Sequence, residues 1–186
     1  MRPTDFLICL LDASAGSIQG RTLLQKRAFF VCQDPKIEVA LDFIPHYYGP
    51  FSPTLDVALG ELKSLGFVDE ATTGFGLVGT SGFEIRRHDY HLTDDGKQIA
   101  GLLKQSDVEA YERITAGFQR IKEAGDPNYM ELSVAAKAFF ILKRKNRPLT
   151  HEEVLRAASD FNWNISEQSL GRAVSFLEKL GLVQTG

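Results

Sequence analysis

Apolar residues in this chain mostly recur at every third or fourth position, the spacing that lines one face of a helix. Phe6, Cys9, Leu10 and Ala13 form the first such stripe, after Thr4-Asp5 and before a stop at Gly16. A second helix is predicted from about Thr22 to Gln33, with Leu23, Leu24, Ala28 and Val31 inward and Asp34-Pro35 at its end. An irregular aromatic stretch, FIPHYYGPF, follows. Ser52 then suits an N-cap and Pro53 the first helical position. Leu55, Ala58, Leu59, Leu62 and Leu65 form the buried face of this third helix, and Gly66 closes it.

The pattern then changes. Phe67–Ala71 reads as a strand, and Glu84–Leu92 as the strand that returns. Between them TTGFGLVGTSG, residues 72–82, carries four glycines and predicts a long flexible loop. Such a pair with a mobile tip is the signature of a wing. Thr93 with Asp94 and Asp95 opens another helix, its acids placed against the helix dipole. Beyond this the chain is almost wholly helical. Val108, Tyr111, Ile114, Phe118 and Ile121 lead to Gly125. Asp126-Pro127 caps a helix running to about Lys145 through AAKAFFIL, dense enough to be buried on more than one side, as in a central or dimer-forming helix. Thr150 and Glu153 make a capping box, Asn162-Trp163-Asn164 a turn, and Ser166 caps the last helix.

Two segments echo one another. LDVALGELKSLGFV (Leu55–Val68) aligns with LGRAVSFLEKLGLV (Leu170–Val183), anchored at Gly66 and Gly181. Each reads as an amphipathic helix, a glycine stop and an apolar strand start, as at the end of a helix-turn-helix. The expected fold is therefore mainly α with a small β wing. A winged helix-turn-helix spans residues 1–106, with its wing loop at 72–82. A helical half, 107–186, ends in a second helix-turn-helix-like unit at 149–183. Only three residues follow Val183, so no full second wing is expected.

With 186 residues, 44% apolar and 24% charged, the composition is that of an ordinary globular protein. The net charge of −3 and the pI near 5.8 are not those of an obvious nucleic-acid binder. Residues 1–106 hold 10 basic and 13 acidic side chains, and residues 107–186 hold 11 of each, so the second half is the less repelled by phosphate. Cys9 and Cys32 lie in apolar helical patterns and are expected to be buried, reduced thiols. No apolar run approaches the ~20 residues of a membrane span. The N-terminal apolar patch, broken by Asp12, makes a poor signal peptide, so the cytoplasm is the expected compartment.

Catalytic chemistry is hard to assemble. His88 and His91 are three apart on a strand and point to opposite faces, and no Asp or Glu cluster completes a site with them. The glycine-rich segment lacks the Lys-Ser/Thr of a phosphate loop and precedes a strand rather than a helix. No catalytic residue, metal or cofactor is expected.

One motif is more specific. Gly20, Arg21, Thr22, Leu24, Gln25 and Lys26, then Tyr47, Tyr48, Gly49, Pro50, Phe51, Ser52 and Leu55, follow the pattern G-R-T-x-L-Q-K, spacer, Y-Y-G-P-F-S-x-x-L. The chain resembles the YwgA-like family of uncharacterised bacterial and archaeal proteins and, more distantly, the Panacea (SocA-like) domain associated with antitoxins and phage-linked proteins. The likeness covers about a third of the chain. It implies a winged-helix-like fold and a regulatory or defence setting, and it implies no reaction. Arg27 departs from it, standing where an aliphatic residue is expected, which suggests an inner helix face rotated or partly exposed. Physically, Tyr48-Gly49-Pro50 is a turn. Tyr47, Tyr48 and Phe51 are expected to pack it down, and Arg21, Gln25 and Lys26 to hydrogen-bond its carbonyls. A ligand- or partner-binding role is the alternative.

For DNA, the two helix-turn-helix units differ. The third helix shows Thr54, Asp56, Val57, Gly60 and Glu61 outward, and its acids repel phosphate. The last helix shows Gln168, Ser169, Arg172, Ser175 and Lys179; Gln can pair with adenine and Arg with guanine. Lys143, Arg144, Lys145 and Arg147 form a basic run able to hold phosphates, unless it is simply a solvated helix end. Arg86 and Arg87 in the wing are a further phosphate candidate. The favoured expectation is a DNA-binding regulator acting on double-stranded DNA as a homodimer, read mainly by the second unit. The alternative is a protein-interaction or antitoxin-like module docking through YYGPF or AAKAFFIL. Charge discriminates: a DNA reader needs one positive face joining Arg172, Lys179 and residues 143–147, and scattered cations favour the protein partner.

Overall fold

The computed structural model describes residues 1–78 and 84–184, with side chains outside 75–86. The chain is mainly helical with one small antiparallel sheet. Its elements are α1 (Pro3–Ala13), β1 (Ser17–Gln19), α2 (Arg21–Val31), α3 (Pro53–Ser64), β2 (Val68–Val78), β3 (Glu84–Leu92), α4 (Asp94–Ser106), α5 (Val108–Glu123), α6 (Tyr129–Lys145), α7 (His151–Ser159) and α8 (Glu167–Lys179).

Two helices organise the core. In α1 every residue from Phe6 to Leu11 is buried, because α3, α4 and α5 pack around it. In α6, Leu132, Ala135, Ala136, Ala138, Phe139 and Ile141 are buried against α2, α7 and α8. The apolar density of AAKAFFIL is thus accounted for by burial within its own chain. Phe30 of α2 meets Phe176 of α8 edge-on, with ring centroids 5.5 Å apart. One continuous core therefore crosses the expected 106/107 boundary, where only Asp107 separates α4 from α5. Polar ties span it as well: the Tyr111 hydroxyl donates to Asp12 at 2.5 Å, and the Trp163 indole N–H donates to the His46 carbonyl at 2.7 Å.

The sheet has strand order β1-β3-β2. Sequence periodicity does not reveal β1, since three residues between Gly16 and Gly20 are too few to show an alternation. Its Ile18 is buried opposite Tyr90. The expected loop from residue 72 is corrected in part. Thr72, Thr73 and Gly74 pair with His88, Arg87 and Arg86, and after an irregularity Val78 pairs with Glu84. Glycine in a strand marks such an irregularity as well as a loop. The rest of the expected loop, residues 79–82, lies outside the described residues.

Three local expectations are also corrected. Leu65 is 64% exposed, because it follows the last turn of α3 and the chain departs there through Gly66 at φ 74°. The cap of α6 is Asn128, in a capping box with Glu131, and not Asp126-Pro127. Asp126 instead pairs with Arg27 at 3.0 Å. That pairing also answers the Arg27 departure. The helix is not rotated, since Leu24, Ala28 and Val31 are buried, and α5 covers the guanidinium, which lies 4.9 Å over the Phe118 ring.

Candidate functional site

Two recesses gather the candidate residues. The first is built on the family-like motif. The Gln25 amide donates to the Ser52 carbonyl at 3.0 Å and accepts from the Ser52 N–H at 2.8 Å, so the segment before α3 is clamped to α2 by a two-way bond. Ser52 in turn caps α3 through Leu55 N–H. The Lys26 ammonium donates to the Pro50 carbonyl at 2.7 Å. Gly49 adopts φ 93°, and a Cβ there would sit 3.0 Å from Lys137 and 3.3 Å from the Ser133 carbonyl, both on α6. Arg21 bonds no turn carbonyl; it pairs with Asp56 and lies over the Phe51 ring. Gly20, at φ 91°, sits where β1 meets α2.

Tyr47 and Tyr48 do not pack the turn down. They are 72% and 48% exposed and lie edge-on against each other. What holds the turn is the Lys26 and Gln25 hydrogen bonds and the tie from Trp163 to His46. The turn closes a cavity of about 250 Å³ lined by Arg21, Thr22, Gln25, Lys26, His46, Tyr48 and Phe51. Lys26 is 2% exposed, and among the described residues it has no carboxylate partner. Burial, with a smaller contribution from Lys137, lowers its pKa to about 7. An isolated buried cation costs several kcal/mol, so this amine gives up its proton easily.

The second recess is a groove of about 800 Å³ between the α5–α6 turn, the start of α6 and the outer face of α8. Its floor includes Pro127, Met130, Val134 and Phe176, and its α8 wall carries Gln168, Ser169, Arg172, Ser175 and Lys179. Residues 168, 172, 175 and 179 share one helix face by their 3–4 spacing. Among the described residues Arg172 and Lys179 form no ion pair, and the one carboxylate on the groove, Glu131, is engaged in its capping box.

The basic run is elsewhere. Lys143 and Arg147 border a cleft on the other flank of α8, beside Leu170 and Val174. Lys143 donates to Gln33 at 3.0 Å, Arg144 lies over Phe161, and Arg147 pairs with Glu153 at 2.8 Å. That last pair, with the Thr150 backbone, holds Glu153 down to about 2. Lys145 is exposed at the end of α6. Arg87 lies on the sheet beside Gly20 and pairs with Asp89 at 2.7 Å. The side chain of Arg86 lies outside those described. The expected single positive face joining Arg172 and Lys179 to residues 143–147 is therefore not formed, because the register of α8 turns the two groups to different flanks.

Desolvation raises both cysteine thiols to about 12; both are free, Cys9 buried as expected and Cys32 only partly so, at the edge of the core. Among the described residues no group of His, Cys, Asp and Glu could hold a metal, and no helix is long and apolar enough to cross a membrane. No protein-family model matches the chain, and no curated protein matches it. Sequence reasoning missed the groove because its walls come from segments forty residues apart. The available signal was the pair Met130 and Val134, apolar yet off the buried stripe of α6.

Proposed function

We propose that this protein is a non-catalytic regulatory module of winged-helix type that docks a protein partner in the α6–α8 groove. The order α1-β1-α2-α3-β2-β3, with β1 joining the hairpin, supports the winged-helix reading. The resemblance to YwgA-like and Panacea proteins agrees with it and points to an antitoxin-like or defence setting. The observation that carries docking is the split of the basic residues. The groove has an apolar lining, with Met130 62% exposed, and among the described residues only Arg172 and Lys179 stand at its rim as unpaired charges. That combination suits an amphipathic helix with an apolar face and flanking carboxylates. The apolar run of α6 is largely buried within its own chain, which favours a partner other than a second copy.

A DNA-reading role is the second reading, because Gln168, Arg172 and Lys179 do share one face. Two titrations separate the readings: one with a random DNA duplex at low and high salt, one with a helical peptide of leucines flanked by glutamates. Docking predicts peptide binding that Met130→Ala weakens about tenfold. Salt-sensitive duplex binding lost in Arg172→Glu, with no peptide binding, would overturn it.

A further inference from the structure

The cavity beneath the Tyr48-Gly49-Pro50 turn shares no residue with the groove and plays no part in the docking just described. Its deepest member is Lys26, which comes from the middle of α2 and is almost wholly buried. The ammonium of a lysine has three donors. One reaches the Pro50 carbonyl, and no carboxylate among the described residues accompanies it. Buried charges elsewhere in proteins are paired, so a buried lysine with one neutral acceptor is an unfinished electrostatic arrangement. The surroundings make it more so. Lys137 approaches from α6, Arg21 stands at the mouth with Asp56 behind it, and the His46 ring and Tyr48 hydroxyl come from the turn. Among the described residues the hydroxyls of Thr22 and Tyr48 have no hydrogen-bond partner. Among the lining side chains Arg21, Thr22, Lys26, His46 and Tyr48 can each donate, and Gln25 is already saturated by Ser52.

We propose that this cavity binds one oxyanion group, a carboxylate or a phosphate, with the Lys26 ammonium as its counter-ion and Arg21, Thr22 and Tyr48 as further donors. About 250 Å³ has room for such a group together with several waters. Binding requires the protonated amine, so it takes up a proton at neutral pH and weakens as pH rises. Because Lys26 holds the turn, occupancy also firms the segment that caps α3.

The test follows the Lys26 side-chain signals by NMR through a pH titration of the whole chain, in chloride, then with sodium phosphate, then with sodium acetate. In chloride Lys26 titrates at about 7. A bound oxyanion moves that midpoint up by at least one unit, a tenfold linkage. A shift with phosphate alone identifies a phosphate site, a shift with acetate alone a carboxylate site, and either supports the proposal. Arg21→Gln, which leaves the buried amine in place, weakens the effect, and the surface control Lys104→Met does not. No shift with either anion at about 0.1 M, where surface ion pairing is already screened, overturns it. So does a shift that Arg21→Gln leaves unchanged while Lys104→Met reduces it. Failure of the peptide to bind the groove has no bearing on this result.

Discussion

The helices α3 and α8 are built alike and used differently. Each starts at a serine whose hydroxyl accepts a backbone N–H three residues on, and each closes at a glycine with φ near +70°. The start and the exit of α3 are tied down. Ser52 is fully buried and clamped by Gln25, Asp56 is held by Arg21, and the chain runs on into β2, with Phe67 packed under α4. Around α8 little is tied. Ser166 is exposed, no strand follows Gly181 among the described residues, and Arg172 and Lys179 face an open groove. The same helix grammar thus serves once to hold the molecule together and once to present a surface.

The largest effect that separates them is expected at Gln25. Gln25→Met keeps the shape but strands the buried N–H of Ser52, whose carbonyl still accepts from the Asp56 N–H, and should cost about 3 kcal/mol in chemical denaturation. Glycines sharpen the contrast next. A Cβ on Gly96 would lie 2.1 Å from the Phe67 carbonyl oxygen, just after the α3 stop, so Gly96→Ala should cost about 3 kcal/mol. Gly171 in α8 has nothing within 4 Å of that position, and Gly171→Ala should instead stabilise by about 1 kcal/mol. Equal effects at the two sites would break the comparison.

Stability against pH is the third separation. Lys26 has a folded pKa of about 7, lowered by burial and by Lys137 from 10.5. The unfolded chain therefore holds more protons between these values, and stability contributed by this group rises with pH from about 7 to 10.5. The slope approaches about 1.4 kcal/mol per pH unit and should vanish in Lys26→Met. An unchanged slope in that variant would show that the amine is not desolvated. The smallest contrast is between the caps. Ser52→Ala, with no water to replace the hydroxyl, should cost about 2 kcal/mol, and Ser166→Ala about 0.5 kcal/mol.

The features legible in the sequence were those with a local cause. Ser52, Thr93, Ser166 and the Thr150–Glu153 box cap the helices expected of them. Glu84–Leu92 is the strand expected, and Gly66 and Gly181 are the expected stops. Features that depend on distant segments were not legible. Tyr47 and Tyr48 looked like packing residues, but the turn is held from beneath by Lys26 and from α7–α8 by Trp163. The basic residues 143–147 and Arg172 look adjacent on paper, yet the winding of α8 separates them. One core in place of two follows from contacts between α1 and α5 and between α2 and α6, which no local pattern encodes.

The most direct test of the docking account is a map of backbone amide shifts on adding the leucine–glutamate helical peptide to the labelled protein. The account predicts shifts clustered at Met130, Val134, Arg172 and Phe176, unaffected by an excess of duplex DNA. Shifts centred on Lys143–Arg147 and Arg87, or displacement of the peptide by the duplex, would contradict it.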